Sequence, residues 1–290
     1  MDVGVQVVNA FVDGGKGGNP AGVVLGADAF SREQKQAIAA QVGLSETAFV
    51  SRSEVADFKL EFFTPNRQIA HCGHATIATF SFLQQSGRVP RPDTSKETID
   101  GCRAVQISGD MAFMEQLAPS YSDTGMPAAE LLAGLGLHTD DLLDGRVPEI
   151  VHTGNAFLIV PLKDEAAVAR ARPDLVAIEA VSERFDLIGY YLFSPQTRIA
   201  GRHAGTRMFA PRYGIAEEAA TGMAAGPLAC YLHDRLNVRA DGDILIEQGH
   251  LMNPPSPSVI HVRLDLDDDR IRRLMAGGRA AVTERRAISL

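Results

Sequence analysis

Glu46 is the residue whose type and setting best suit acid/base chemistry. It lies in the run Leu44–Val50, which predicts a strand. The two-residue period of a strand places Glu46 on one face with Leu44, Ala48 and Val50. Loss of hydration on such an apolar face raises the pKa of a carboxylate toward the range that a general acid/base needs. The alternative is a glutamate at a strand end that meets solvent or a salt-bridge partner.

Two short motifs, Gly73–Ala75 and Gly222–Ala224, each open an apolar segment of helix length. Apolar residues fall on nearly every side of both predicted helices, which indicates that each is enclosed by its own sheet. The start of such a helix has free N–H groups and the positive end of the helix dipole. Two such starts facing each other would hold a carboxylate from both sides. Alternatively, the glycines only permit tight loop-to-helix turns.

His74 and its neighbours resemble a fragment of a metal site, because His71, Cys72 and His74 follow one another closely. A structural zinc site needs four ligands at recurring spacing, and no second cluster follows, so we expect no metal. A histidine at a helix start is better placed as a hydrogen-bonding or proton-transfer partner, or as a simple cap. Cys72 raises the possibility of two-thiol racemisation. The matching position of the second motif is Thr221, which excludes a symmetric two-thiol mechanism.

The composition limits the classes of function. The 290 residues carry a net charge of −8, which argues against a nucleic-acid or anionic-membrane partner. Tryptophan is absent, which argues against a surface that stacks bases or sugars. Three cysteines without a CxxC pair suit a reducing compartment, and the first residues show no signal peptide, so we expect a cytoplasmic protein.

No G-x-G-x-x-G motif follows a strand, so the pattern of a doubly wound nucleotide-binding domain is missing. The glycine-rich segment 13–19 lacks the Ser or Thr of a phosphate-binding loop and predicts a turn.

The chain alternates short strands with helices, which predicts a mixed α/β fold with mostly antiparallel strands. Ser31 and Gln34 form a capping-box pattern before a helix that Gly43 closes. Asp267–Asp269 predicts a solvated turn between a strand and a helix. The predicted strands are 3–11, 58–63, 244–248 and 259–266, and the other predicted helices are 127–136, 164–171 and 174–183.

The two halves of the chain repeat each other. Gly18-Asn19-Pro20-Ala21 is echoed by Gly154-Asn155-Ala156, and a Phe-x-Pro segment precedes both Gly-x-Ala motifs. Matches in the same order indicate an internal duplication and therefore two pseudo-symmetric domains. We place them at residues 1–120 and 121–290, and the last strand is a candidate to return to the first domain.

The motifs together resemble the phenazine-biosynthesis PhzF-like isomerase family. The resemblance rests on these segments: Asn19-Pro20-Ala21, Leu44-Ser45-Glu46-Thr47-Ala48-Phe49, Phe63-Thr64-Pro65, Cys72-Gly73-His74-Ala75-Thr76 and Ala220-Thr221-Gly222. It implies the diaminopimelate-epimerase-like fold, in which a sheet or barrel wraps around a central helix in each domain and the active site lies in the cleft between them. It also implies a cofactor-independent enzyme that is commonly a homodimer. The family's catalytic carboxylate maps onto Glu46, its partner histidine onto His74, and its carboxylate clamp onto the backbone of Gly73 and Gly222.

Several positions differ from the family pattern. Gln68 stands where the family usually has a glutamate, and Glu218 stands where it has an aspartate. Met223 replaces a small polar residue after the second Gly, which removes a hydroxyl and adds bulk. Asn253–Ser256 replaces the usual Gly-Arg-Pro-Ser segment. These changes bear on substrate choice more than on acid/base chemistry.

The sequence therefore predicts a cofactor-free isomerase or epimerase that moves a proton between carbons of a small carboxylate-bearing molecule. Glu46 is the predicted proton shuttle, with His74 and Glu218 as positioning or relay groups. The predicted substrate-binding residues are Asn19, Gly73, Thr221, Gly222 and Met223. The alternative, which Gln68 and Met223 suggest, is a non-catalytic protein that binds small acids on the same scaffold.

Overall fold

The computed structural model describes residues 2–290, which form two compact units. Unit 1 holds the chain up to Glu115 together with Gly277–Leu290, and unit 2 is Gln116–Ala276. The chain thus leaves the first unit near its middle and returns to it for its last fourteen residues.

Eight strands and two longer helices build most of unit 1. The helices are α1 (Arg32–Val42) and α2 (Gly73–Gln85). The strands are β1 (Asp2–Ala10), β2 (Asn19–Leu25), β3 (Thr47–Ser51), β4 (Phe58–Phe63), β5 (Gln68–Ile69), β6 (Asp93–Thr98), β7 (Gly101–Ser108) and β8 (Met111–Leu117).

The sheet of unit 1 mixes strand directions in a regular way. β1 and β2 are antiparallel, β2 and β3 parallel, β3 and β4 antiparallel, β4 and β6 parallel, and β6, β7 and β8 successively antiparallel. The C-terminal part of the last strand, β17 (Arg270–Ser289), pairs with β1 and also neighbours β8. Gly277 of β17 lies against Ala112 and Phe113 of β8, so the sheet closes around α2.

Helix α2 is buried because its residues are small or apolar on every side. Ten of its thirteen residues are buried, and it packs against β1, β2, β3 and β7. Helix α1 is amphipathic instead: Ile38, Ala39 and Val42 pack against Phe49 and Phe63 of the sheet. Because α2 is apolar on all sides and α1 on one side only, α2 lies inside the sheet and α1 outside it.

Unit 2 has the same kinds of elements. Its helices are α3 (Ala128–Ala133), α4 (Glu165–Arg170), α5 (Leu175–Arg184) and α6 (Gly222–Leu236). Its strands are β9 (Ser120–Ser122), β10 (Glu149–His152), β11 (Ala156–Pro161), β12 (Gly189–Ser194), β13 (Ala204–Ala210), β14 (Ile215–Glu218), β15 (Ile244–Gln248) and β16 (Ser258–Asp267).

The order of pairings in unit 2 repeats that of unit 1. From β10 to β16 the pairs run antiparallel, parallel, antiparallel, parallel and antiparallel, with β14 as the short side strand that β5 is in unit 1. Helix α6 follows β14 as α2 follows β5, and it packs against β10, β11 and β16. The predicted mixed α/β fold, with a central helix in each of two similar halves, is confirmed.

Local signals in the sequence located most elements to within a residue or two. Ser31 and Gln34 form both bonds of the capping box, and Gly43 ends α1 in the left-handed conformation. Two predictions were wrong. The strand expected at Leu44–Val50 begins only at Thr47. The turn at Asp267–Asp269 leads into β17 and not into a helix, with Asp268 at a positive φ of 54° that suits a tight turn between strands.

Among residues 2–290, none of the helices combines the length and the apolar character that crossing a membrane requires.

Candidate active site

Glu46 lies at the entrance to β3, in the residue before the strand starts. Its carbonyl accepts a hydrogen bond from the Gly22 amide (3.0 Å), which fixes the backbone against β2. A Cβ on Gly22 would lie 2.8 Å from Thr47 Oγ1, so glycine is what allows the two strands to approach here. Glu46 is buried, with 8% of its side-chain surface exposed. The predicted burial of this carboxylate is thus present, although its residue precedes the strand.

The carboxylate of Glu46 meets the imidazole of His74. Glu46 Oε2 lies 3.2 Å from His74 Nε2, and both side chains are buried. His74 is the second residue of α2, and its other ring nitrogen, Nδ1, lies 3.7 Å from Cys72 Sγ. No described residue other than His74 offers a hydrogen-bond donor to Glu46 Oε2. A buried carboxylate oxygen beside a histidine is a candidate proton acceptor.

Cys72 is a protonated thiol in this setting. Burial raises its pKa, and the neighbouring histidine offsets only part of that effect. A thiol cannot take a proton from carbon, so the geometry favours Glu46 over Cys72 as the base. One ligand atom from each of Glu46, Cys72 and His74 lies within 4.8 Å of the others, and among residues 2–290 these three side chains are the group that could hold a metal ion.

The start of α2 has no side-chain cap. Cys72 is its N-cap residue in an extended conformation, and its side chain accepts no capping bond. Helices α1, α4 and α5 are each capped by a Ser or Asp side chain. The amides of Gly73 and His74 belong to the first turn, whose N–H groups have no acceptor within the helix itself. Together with the helix dipole they form a site suited to an anion.

Asn19 and Gln68 also lie in unit 1. Asn19 is the first residue of β2, is buried, and pairs in register with Ala10 of β1. Gln68 is half-buried on β5, opposite Phe63 of β4. Substrate binding by Asn19 stays a prediction, and so does the effect of Gln68 on substrate choice.

In unit 2 the structure brings Glu218 and Thr221 together. Glu218 ends β14, and its Oε2 accepts a hydrogen bond of 2.6 Å from Thr221 Oγ1. Thr221 is the N-cap residue of α6 and is buried. Because the threonine hydroxyl is used in this bond, it does not cap the helix, and the amides of Gly222 and Met223 lack a side-chain cap.

Gln248 holds this loop in place, a role that the sequence did not reveal. Its Oε1 accepts hydrogen bonds from the Thr221 amide (3.1 Å) and the Tyr191 hydroxyl (2.9 Å). Its Nε2 donates to the Glu218 carbonyl (2.7 Å) and to Thr221 Oγ1 (3.1 Å). The oxygen and the nitrogen of the Gln248 amide each form two hydrogen bonds, and these bonds fix the backbone of the loop from Glu218 to Thr221. In the sequence, the only local signal of this role is a glutamine at the end of a predicted strand, and that signal is weak.

Gln116 and Asn155 contact the first turn of α6 itself. Gln116 Nε2 donates to the Gly222 carbonyl (2.8 Å), and its Oε1 accepts from Thr153 Oγ1 (2.8 Å). Asn155 Nδ2 lies 3.5 Å from Met223 Sδ. Met223 is half-buried, so it can limit the space beside the helix start, as its bulk predicts.

Comparison with known proteins identifies relatives over the whole chain. The PhzC-PhzF family model, described as phenazine biosynthesis-like protein, matches residues 8–286. An Escherichia coli K12 protein named uncharacterized isomerase YddE is 31% identical over 285 residues, which are 96% of this chain and 95% of that protein. The trans-2,3-dihydro-3-hydroxyanthranilate isomerase of Pseudomonas aeruginosa is 32% identical over 286 residues, which are 97% and 98% of the two chains.

Solved structures agree with the sequence comparison. A Bacillus anthracis phenazine biosynthesis protein of the PhzF family superposes with a TM-score of 0.90 at 27% identity, with 100% of both chains covered. A hydroxyproline epimerase from Agrobacterium vitis gives a TM-score of 0.61 at 12% identity over 100% of this chain and 93% of that one. The second likeness shows that the fold is shared with epimerases.

Proposed function

The chain belongs to the phenazine biosynthesis-like PhzF family and is an isomerase, and we propose that it moves a proton between two carbons of a small carboxylate-bearing substrate. The observation that supports this most is the pair of Glu46 and His74, 3.2 Å apart and buried beside the uncapped start of α2. A base and an anion site next to each other are what proton abstraction near a carboxylate requires.

In the proposed reaction Glu46 takes a proton from one carbon of the substrate. The electron pair of the broken C–H bond moves into the neighbouring unsaturated system, and the protonated Glu46 returns its proton to another carbon. One proton and one electron pair move within the substrate, so the step consumes no oxidant or reductant. His74 orients the Glu46 carboxylate and shares its proton during the transfer.

The amides at the helix starts bind the substrate carboxylate in this proposal. The groups at Gly73 and His74 are fixed by α2 before substrate arrives, so they stabilise developing negative charge without reorganising. Gly222 and Met223 present amides of the same kind in unit 2, and we assign them the same ligand chemistry. Glu218, held by Thr221, serves as a proton relay, and Asn19 supports the strand that flanks Glu46.

A dihydro-hydroxyanthranilate is the first substrate to test, because two relatives carry it in their names. Met223 and Gln68 differ from the family pattern at positions that affect shape and charge, so close analogues with another ring substituent belong in the same panel. Each compound in the panel has a carboxylate and a carbon-bound proton beside an unsaturated bond.

The proposal is tested by following deuterium uptake from heavy water into the substrate. We expect Glu46→Gln to fold with an unchanged melting temperature and to lose exchange by about 10²–10⁴-fold, the contribution of a group that transfers protons. Exposed Glu54, in the same unit, gives a matched control, and Glu54→Gln should retain full exchange. Full exchange in Glu46→Gln would remove Glu46 from the mechanism. Tight binding of the acids without exchange in the wild-type chain would favour the non-catalytic alternative.

A further inference from the structure

Lys96 is a fully buried lysine that the proposed reaction does not use. It lies on β6 with none of its surface exposed. Its Nζ donates to Thr76 Oγ1 at 2.6 Å, lies 3.5 Å from Met114 Sδ, and stands 5.3 Å from the centre of the Phe62 ring. These contacts provide hydrogen-bond acceptors for the Lys96 ammonium group, but none of them supplies a negative charge.

The dipole of helix α2 also makes the position of Lys96 unfavourable for a positive charge. Thr76 belongs to the first turn of α2, where the helix dipole is positive and repels a positive charge. Thr76 Oγ1 in turn donates to the Cys72 carbonyl at 2.6 Å, so Lys96 is tied to the residue that precedes Gly73. The lysine therefore lies behind the amides that we assign to the substrate carboxylate.

No carboxylate of the described residues forms an ion pair with Lys96. Asp100 acts on it only at longer range, and Arg103 and His71 are basic neighbours. Cys72 would offer a negative charge only as a thiolate, and burial raises its pKa. Burial lowers the pKa of Lys96 to about 7, which agrees with a cation that has no counter-charge in the free protein.

The other buried lysine of unit 1 shows the usual arrangement. Lys35 on α1 is 6% exposed and forms an ion pair with Glu61 of β4. A buried charge normally has such a partner because the loss of hydration is otherwise uncompensated. Lys96 thus lacks, among the described residues, the counter-charge that Lys35 has.

We infer that Lys96 is a positioning residue for the anion site at the start of α2, and that the carboxylate of a bound substrate supplies its missing counter-charge. The inference rests on the proposed function, since it concerns the same carboxylate. Lys96 acts from behind the helix: it fixes Thr76 and the Cys72 carbonyl, and its charge adds to the positive end of the dipole. It does not touch the reacting carbons.

The test measures binding by calorimetry, without turnover. The probe is 3-hydroxyanthranilate, the aromatic counterpart of the substrate that two relatives' names give. Its control is 2-aminophenol, the same ring without the carboxylate. We expect Lys96→Met to weaken binding of the carboxylate about tenfold, as loss of a nearby buried charge should, and to leave 2-aminophenol binding unchanged. The melting temperature should stay the same or rise, because a methionine fills the space without an unpaired charge.

A second measurement detects the proton on Lys96. At about pH 8, above the lowered pKa of the free lysine, binding of the carboxylate should draw a proton onto Lys96. Calorimetry in two buffers with different heats of ionisation gives the number of protons taken up. The wild-type chain should take up more than Lys96→Met does, and a role limited to packing would not produce this difference.

Lys35→Met is the matched control, because it removes the other buried lysine of the same unit. It should lower the melting temperature, since Glu61 loses its partner, and leave carboxylate binding unchanged. Equal weakening for carboxylate and 2-aminophenol in Lys96→Met would overturn the inference, as would a wild-type chain that binds both compounds equally. Because no turnover is measured, these outcomes are independent of whether Glu46 exchanges deuterium.

Discussion

The two ring nitrogens of His74 have different neighbours, and this difference assigns the chemistry around it. Nε2 faces the Glu46 carboxylate at 3.2 Å, and Nδ1 faces the Cys72 sulfur at 3.7 Å. A carboxylate attracts the ring proton to Nε2, which leaves Nδ1 as an acceptor for the weak S–H donor. We therefore expect Cys72 to help orient the imidazole and its thiol to take no part in proton transfer.

At the scale of residues we therefore predict that alkylation of thiols does not change deuterium exchange into the substrate. Iodoacetamide at about pH 7 should label exposed Cys102 and leave deuterium exchange intact, because burial raises the pKa of Cys72 and keeps it protonated. Cys72→Ser, which keeps a hydrogen-bond donor, should change the exchange rate less than tenfold, against ~10²–10⁴-fold for a proton-transferring group. Mass spectrometry of the labelled chain and the exchange assay check both points. Loss of exchange on alkylation of a Cys102→Ser variant would restore a thiol mechanism.

At the scale of elements, the two central helices are held by neutral amides in one unit and by a lysine in the other. Gln116 and Gln248 fix the start of α6, and Lys96 fixes the start of α2 through Thr76. The sequence revealed the helices from their apolar residues and the glycine at each start. It did not reveal the three anchors, because each lies on a strand far along the chain and has no pattern of its own.

Gly226 gives a test of the anchor on α6. A Cβ at this position would lie 2.1 Å from Gln116 Oε1 and 2.7 Å from Leu274 Cδ1. Alanine favours a helix by about 1 kcal/mol over glycine, but here it would displace the Gln116 side chain from Gly222. We expect Gly226→Ala to lower the free energy of unfolding by about 1–3 kcal/mol, as overpacking usually does. Urea denaturation measures the change, and Gly242→Ala, where a Cβ meets open space, is the control. A Gly226→Ala chain as stable as the wild type would show that the anchor is adaptable.

At the scale of the whole molecule, the duplicated order of strands explains why the sequence could indicate where the candidate residues lie. Corresponding segments of the two halves carry the predicted residues, so Glu46 and His74 could be found beside one helix start and Glu218 and Thr221 beside the other. The path of the chain was harder to predict. The return of the last strand to the first domain could be named only as a candidate, because residues 277–290 carry no local pattern that specifies a partner strand. That partner is β1, at the other end of the chain, in the register Asp2 to Ser289.

The last strand should be essential to unit 1 despite its distance along the chain. Its residues pair with the whole of β1, and Ile288 packs with Val3 and Val5 in the core beside α1. A chain that ends at Ala276 leaves β1 with one neighbour and exposes this core to water. The loss is comparable to the ~5–15 kcal/mol that stabilises a typical domain, so we expect unit 1 to unfold. Hydrogen exchange should show lost protection in peptides covering β1 and β2, with peptides of unit 2 as the internal reference. Removal of Leu290 alone leaves every pairing of β1 in place and should keep the protection of β1. Native protection of β1 in the shorter chain would mean that the first 115 residues close their sheet without the returning strand.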